Sequence, residues 1–151
     1  MITDAENTLS ASQVVTAAAV STNTIDLSQS RDLGAGEELN VVINVEAAAL
    51  AAGAATVQFQ VISSAASNLG SATVVGQTDA IPKASLVAGA QIVVPVPRAF
   101  INQLGQRYLG LNYNVGTGPL TQGTFSAWVT IDAPDNTGAM KKVYPSGWSI
   151  K

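Results

Sequence analysis

Three short stretches place oxygen-bearing or glycine-rich groups close enough to suggest chemistry. In "DAPDN" (132–136), Asp132, Asp135 and Asn136 offer ligands of the kind Ca²⁺ takes. Such a site needs about six to eight oxygens, usually from several carboxylates. Two acids around a proline also suit an ordinary turn. Glu37 and Glu38, with Asp32 nearby, resemble the carboxylate pair of a glycoside hydrolase. Neighbours on a strand point to opposite faces, and these flank a glycine turn, so they do not converge on one cleft. "GTGPLTQG" (116–123) has glycines at the spacing of a phosphate-cradling loop. Pro119 intrudes, and a strand pattern rather than a helix follows, so the stretch reads as a hairpin loop.

The chain has no histidine and no cysteine. That removes the commonest general base, the commonest metal ligand, thiolate chemistry and disulfides together. No serine sits in a G-x-S-x-G elbow. The residue inventory therefore points away from an enzyme, and it supplies no cofactor or metal site. A second chemistry is sugar binding. Tyr108, Tyr113, Trp128, Tyr144 and Trp148 could stack on a glycan beside Asn and Asp, as in lectin-like sandwiches. Aromatics make up only 5% of the chain, and Tyr113 falls on a core-facing position, so core or inter-subunit packing is the expected role of these rings.

Charged residues are 11% of the chain, well under the usual quarter, while 47% is apolar. The polar surface must come from Ser, Thr, Asn, Gln and backbone. A net charge of −3 gives no basis for nucleic-acid binding. The first ten residues hold two acids and no base, unlike a secretory leader, and "AAALAAGAA" (47–55) is too short and weak to span a membrane. A soluble protein without export signal is expected.

The elements that carry these residues are read from a period of two. "QVVTAAAV" (13–20), "NTIDL" (23–27), "ELNVVINVE" (38–46), "TVQFQVIS" (56–63), "SATVVGQT" (71–78), "AQIVVPVP" (90–97), "RYLGLNYNV" (107–115) and "GTFSAWVTID" (123–132) read as strands. In "RYLGLNYNV", Leu109, Leu111, Tyr113 and Val115 share one face, leaving Arg107, Tyr108, Gly110, Asn112 and Asn114 for contact on the other. Pro95 puts its strand at an edge or ends it nearby. Phe125, Ala127, Val129 and Ile131 share a core face, with Trp128 turned away. The core is expected to include Val41, Ile43, Phe59, Val61, Leu109, Leu111 and Val129. "EAAALAAGAAT" (46–56) reads as an alanine-rich loop, and "PRAFINQLGQ" (97–106) as a short helix closed by Gly105. The expected fold is all-β: a jelly-roll-like two-sheet β-sandwich of about eight strands over residues 1–132, with one short helix. Residues 133–151 read as an extended C-terminal tail.

In that tail Lys141, Lys142 and Lys151 follow Asp135 with no further acid, and Tyr144 and Trp148 flank "YPSGW". Aromatics gain nothing in solvent, so the tail is expected to pack on a neighbouring subunit, its lysines facing acids there. Lys141, Lys142, Tyr144 and Trp148, with Arg107 and Tyr108, are the candidate partner-interface residues.

"AVSTNTIDLSQSRDLGAGEEL" (19–39), "GAQIVVPVPRAF" (89–100) and "GQRYLGLNYNVGTG" (105–118) carry a resemblance. So do the opening "MITDAENTLSASQ" and the strand "FSAWVTID" (125–132). Over residues 1–132 the chain resembles the capsid cement, or decoration, proteins of short-tailed bacteriophages of the Bordetella-phage type. The resemblance implies a jelly-roll subunit on the outer surface of the phage head, assembled in the host bacterial cytoplasm. It would bridge neighbouring subunits of the major capsid protein and brace the shell against the packaged DNA. It implies no catalysis and transfers no site residue. A homo-oligomer, dimer or trimer, with no nucleic-acid or membrane partner, is the expected form. The rival expectation is a lectin-like carbohydrate-binding sandwich of a phage or bacterial surface.

Overall fold

The computed structural model describes residues 4–33, 38–96 and 104–131. Among these residues, ten strands form two antiparallel sheets. They are β1 (Thr8–Val14), β2 (Ala19–Val20), β3 (Ile25–Asp26), β4 (Leu39–Leu50), β5 (Thr56–Ser64), β6 (Thr73–Gln77), β7 (Ile81–Pro82), β8 (Gln91–Val96), β9 (Tyr108–Gly116) and β10 (Gln122–Thr130). Short 3-10 turns cover Ala5–Asn7 and Lys83–Ser85. One sheet has the order β1-β10-β4-β8; the other runs β2-β9-β5-β6, with β3 also on β9 and β7 also on β5. Counting β2 with β3 and β6 with β7 as interrupted strands leaves eight strand positions, four per sheet. This alternation of chain positions between two sheets is the jelly-roll arrangement the sequence led us to expect.

The core lies between the sheets. Phe59, Tyr113 and Phe125 are fully buried and pack ring against ring, with centroids 5.5–5.8 Å apart. Around them Val41, Ile43, Val61, Leu109 and Leu111 are buried as expected. Val129 is only half-buried, and Ile131 is 59% exposed. β10 ends at Thr130, so Ile131 lies past the last strand residue, where no core face continues.

Two expectations about strands need correction. Residues 13–20 do not form one strand. β1 starts earlier, at Thr8, and bulges against β10 between Thr8 and Ser10 and again between Ser10 and Gln13, with Ser12 at φ +49°. The bulges break the period of two, which hides the strand from a pattern search. The alanine-rich run is strand as far as Leu50, with the turn confined to residues 51–55. Alanine is a poor strand former, but Ala47 pairs with Thr124, and Ala49 is buried and donates its N–H to Leu86. Pairing and burial outweigh propensity here. Of the two readings Pro95 allows, the edge position holds: β8 is an edge strand and runs through Pro95 to Val96. The expected helix 97–106 lies outside the described residues except for its end, where Gly105 has φ +66°. The tail 133–151 lies outside them altogether.

The free edges of β1 and β2 are tied to one another rather than left open. The Tyr113 hydroxyl donates across the core to Ser10 Oγ at 2.9 Å, and Ser10 Oγ donates to Gln13 Oε1 at 2.7 Å. Gln13 Nε2 donates to the Val20 carbonyl at 2.8 Å, and the Thr22 N–H donates to Gln13 Oε1 at 3.0 Å. One glutamine thus occupies backbone groups that would otherwise template an added strand.

Candidate contact faces

The ten strands hold only two charged residues, Asp26 and Glu46. What the sheets show outward is therefore set by neutral groups, and the two outer faces differ.

On the six-stranded sheet, the register pairs Gln60 with Asn112 and with Gln77, and Gln58 with Asn114. These side chains alternate with core residues and so share the outer face. Their carboxamides bond to one another. Gln60 Nε2 donates to Gln77 Oε1 at 3.0 Å and to Gln58 Oε1 at 3.3 Å. Asn112 Nδ2 donates to Gln60 Oε1 at 2.8 Å, and Asn114 Nδ2 to Gln58 Oε1 at 3.2 Å. Gln58 Nε2 donates to the Thr78 carbonyl at 3.0 Å. Both N–H groups of Gln60 and both lone pairs of Gln58 Oε1 are thereby used. Among the described residues, the carbonyls of Asn112 and Asn114 and the amide nitrogen of Gln77 are left for an outside partner.

This lattice ends where a loop folds over the sheet. Gly110 lies on the same outer face, and a Cβ there would sit 2.3 Å from Leu69 Cδ1. The missing side chain lets buried Leu69 lie directly on the strand beside Ile62. Below it, Ser63 Oγ donates to Gln106 Oε1, and Gln106 Nε2 donates to Thr73 Oγ1 at 2.7 Å.

Beyond that loop stands the cluster containing Arg107 and Tyr108. Arg107 donates from Nε and Nη2 to the two Asp26 carboxylate oxygens, both at 2.5 Å, and its guanidinium lies 5.3 Å from the Tyr108 ring centroid. The Arg107 hydrogen bond holds the Asp26 carboxyl below its usual range. Both partners are about half-exposed, so the pair orients these groups more than it stabilises the fold.

On the four-stranded sheet, Thr8, Trp128, Val42 and Val93 lie in one row across the strands. The flanking rows are mostly polar: Ser126, Asn44 and Gln91 on one side, and Thr130 and Asn40 beside the apolar Pro95 on the other. Glu46 is the charge on this face. It accepts from Ser126 Oγ and from Ser12, and these hydrogen bonds hold its pKa down. Val42 has no exposed surface, and Trp128 Nε1 is buried without an acceptor.

The remaining sequence candidates divide cleanly. Lys141, Lys142, Tyr144 and Trp148, and the "DAPDN" residues Asp132, Asp135 and Asn136, lie outside the described residues. So does Glu37, while Asp32 and Glu38 are exposed. Among the described residues, no group of three or more potential metal-ligating side chains comes together. Among the described residues the aromatic platform is not assembled, and Tyr144 and Trp148 lie outside them. Tyr113 is in the core with its hydroxyl on Ser10, and Tyr108 and Trp128 face outward from different sheets. Alternation alone does not announce the amide lattice, although Gln58, Gln60, Asn112 and Asn114 stand at the polar positions of two alternating strands. An open groove of about 730 Å³ lies between the first 3-10 turn and β3, lined by Glu6, Asn7, Thr22, Asn23 and Asp26 among others.

No curated protein matches the chain. The Bbp16 family model matches residues 9–129, from the second residue of β1 to the next-to-last of β10, and the family's name points to a protein of a Bordetella phage. With well over half its length matched, the chain belongs to the Bbp16 family.

Proposed function

We propose that the protein is a structural component of a phage virion, decorating and stabilising the head by bridging neighbouring subunits of the major capsid protein. The observation that carries this reading is the uncharged, hydrogen-bonded amide lattice on the outer face of the six-stranded sheet. Its members are held by each other before any partner arrives, so little side-chain entropy is lost on contact. Neutral amides also cost less to desolvate than charges do, which suits a subunit packed closely among others. The family name supports the phage setting.

In this reading the protein acts as a homo-oligomer, dimer or trimer, on the outer surface of the head, assembled in the host cytoplasm. It uses no catalysis, cofactor, metal, nucleic acid or membrane. Each contact is modest, and a subunit touching several capsid proteins gains through effective concentration. A glycan-binding role is the rival, because exposed amides also bind sugar hydroxyls. The test is to add purified protein to heads that lack it. Decoration in EDTA and without sugar supports the proposal. Failure to decorate, with tight binding to a defined glycan, replaces it with the lectin reading.

A further inference from the structure

We propose that the outer face of the four-stranded sheet is the docking surface for the chain's own C-terminal segment, residues 132–151. The row Thr8–Trp128–Val42–Val93 points away from the core, yet Val42 is fully buried and the indole nitrogen of Trp128 is shielded. On an uncovered sheet the outward residues meet water. A buried indole N–H also calls for an acceptor, since buried polar groups are rarely left unpaired. An extended backbone laid across the row supplies carbonyls for that donor and apolar side chains for the valines.

The position and content of the segment fit this surface. β10 ends at Thr130, two residues past Trp128 and on the same face, so the chain leaves from the site itself. At roughly 3.3 Å per residue, the segment far exceeds the roughly 15 Å breadth of four strands. It contains Met140, Val143, Tyr144, Trp148 and Ile150 for the apolar row. Its Lys141, Lys142 and Lys151 are opposite in sign to Glu46, the charge on that face. Covalent continuity gives the chain's own segment a local concentration that a second copy must compete against. Docking on a neighbouring subunit, the expectation from the sequence, is the outcome that the concentration dependence below would reveal. This inference does not depend on capsid decoration.

The test uses the absence of cysteine. Val93→Cys places a thiol in the row, and Val87→Cys places one at a 54% exposed position outside it. In the full-length chain, Val93→Cys should react with a maleimide at least about tenfold more slowly than Val87→Cys. Deleting residues 137–151 should remove the difference. In a Trp148→Phe background Trp128 is the sole tryptophan, and the same deletion should shift its emission to the red and raise acrylamide quenching. These differences should not vary with protein concentration. Equal labelling of the two thiols in the full-length chain overturns the proposal, and that arm needs no truncated protein to fold. Unchanged labelling and emission after deletion also overturn it. Protection that disappears on dilution assigns the surface to a second copy instead.

Discussion

The two outer faces of this sandwich solve the same problem in opposite ways. Each must present a sheet to its surroundings almost without charge. The six-stranded sheet does so with carboxamides that bond to each other, so its face is satisfied as it stands and keeps a few groups for a partner. The four-stranded sheet places valine and tryptophan there and leaves the indole nitrogen without an acceptor. A self-satisfied polar lattice can remain exposed, whereas a buried unpaired donor marks a surface that wants a cover. On the two proposals above, the first face is the one that meets other proteins and the second the one that the chain's own tail covers.

Both faces depend on the ring cluster between them, so the largest effect comes from breaking it. Phe59→Ala should cost about 3–5 kcal/mol and lower the denaturation midpoint accordingly. It would loosen both sheets at once, because Phe59 touches Tyr113 in its own sheet and Phe125 in the other. An unchanged midpoint would show that the cluster does not hold the sheets together.

A charge placed on the apolar face comes next. Val42→Asp buries a carboxylate without a partner and should cost about 3 kcal/mol, measured by chemical denaturation. A cost within about 0.5 kcal/mol, as at an ordinary surface site, would show the two faces to be alike.

The third effect is one of pH. Burial raises the Tyr113 hydroxyl from the ordinary 10 to about 12, against the smaller opposing pull of its bond to Ser10. Because the folded value lies above the unfolded one, this stability is complete below pH 10 and is lost as pH rises towards 12. The loss attributable to this group is about 2–3 kcal/mol. Tyr113→Phe should therefore flatten the alkaline fall in melting temperature relative to the unchanged chain. Parallel profiles would remove Tyr113 from the account.

Much of this fold is legible in the chain because alternation reports burial directly. Leu109, Leu111 and Tyr113 show their core face, and Pro95 shows its edge. The rest depends on long-range register. Ser12 and the bulges around it disguise β1, and the alanines of β4 become strand only through β10. Arg107 and Asp26 are 81 residues apart in sequence, and nothing local announces their pairing. The amide lattice has the same character. Gln58, Gln60, Asn112 and Asn114 are plainly outward positions, but only the pairing of β5 with β9 turns four polar residues into a surface.

The most direct test of the account is decoration by a variant of that surface. Gln77→Glu keeps an oxygen to accept from Gln60 Nε2, so the lattice and the fold survive, with stability changed by less than about 0.5 kcal/mol. It also replaces a spare N–H donor with a charge. Titrated against heads that lack the protein, Gln77→Glu should bind at least about tenfold more weakly than the unchanged chain. Equal binding by a variant of equal stability would contradict the claim that the amide face is where the protein meets the capsid.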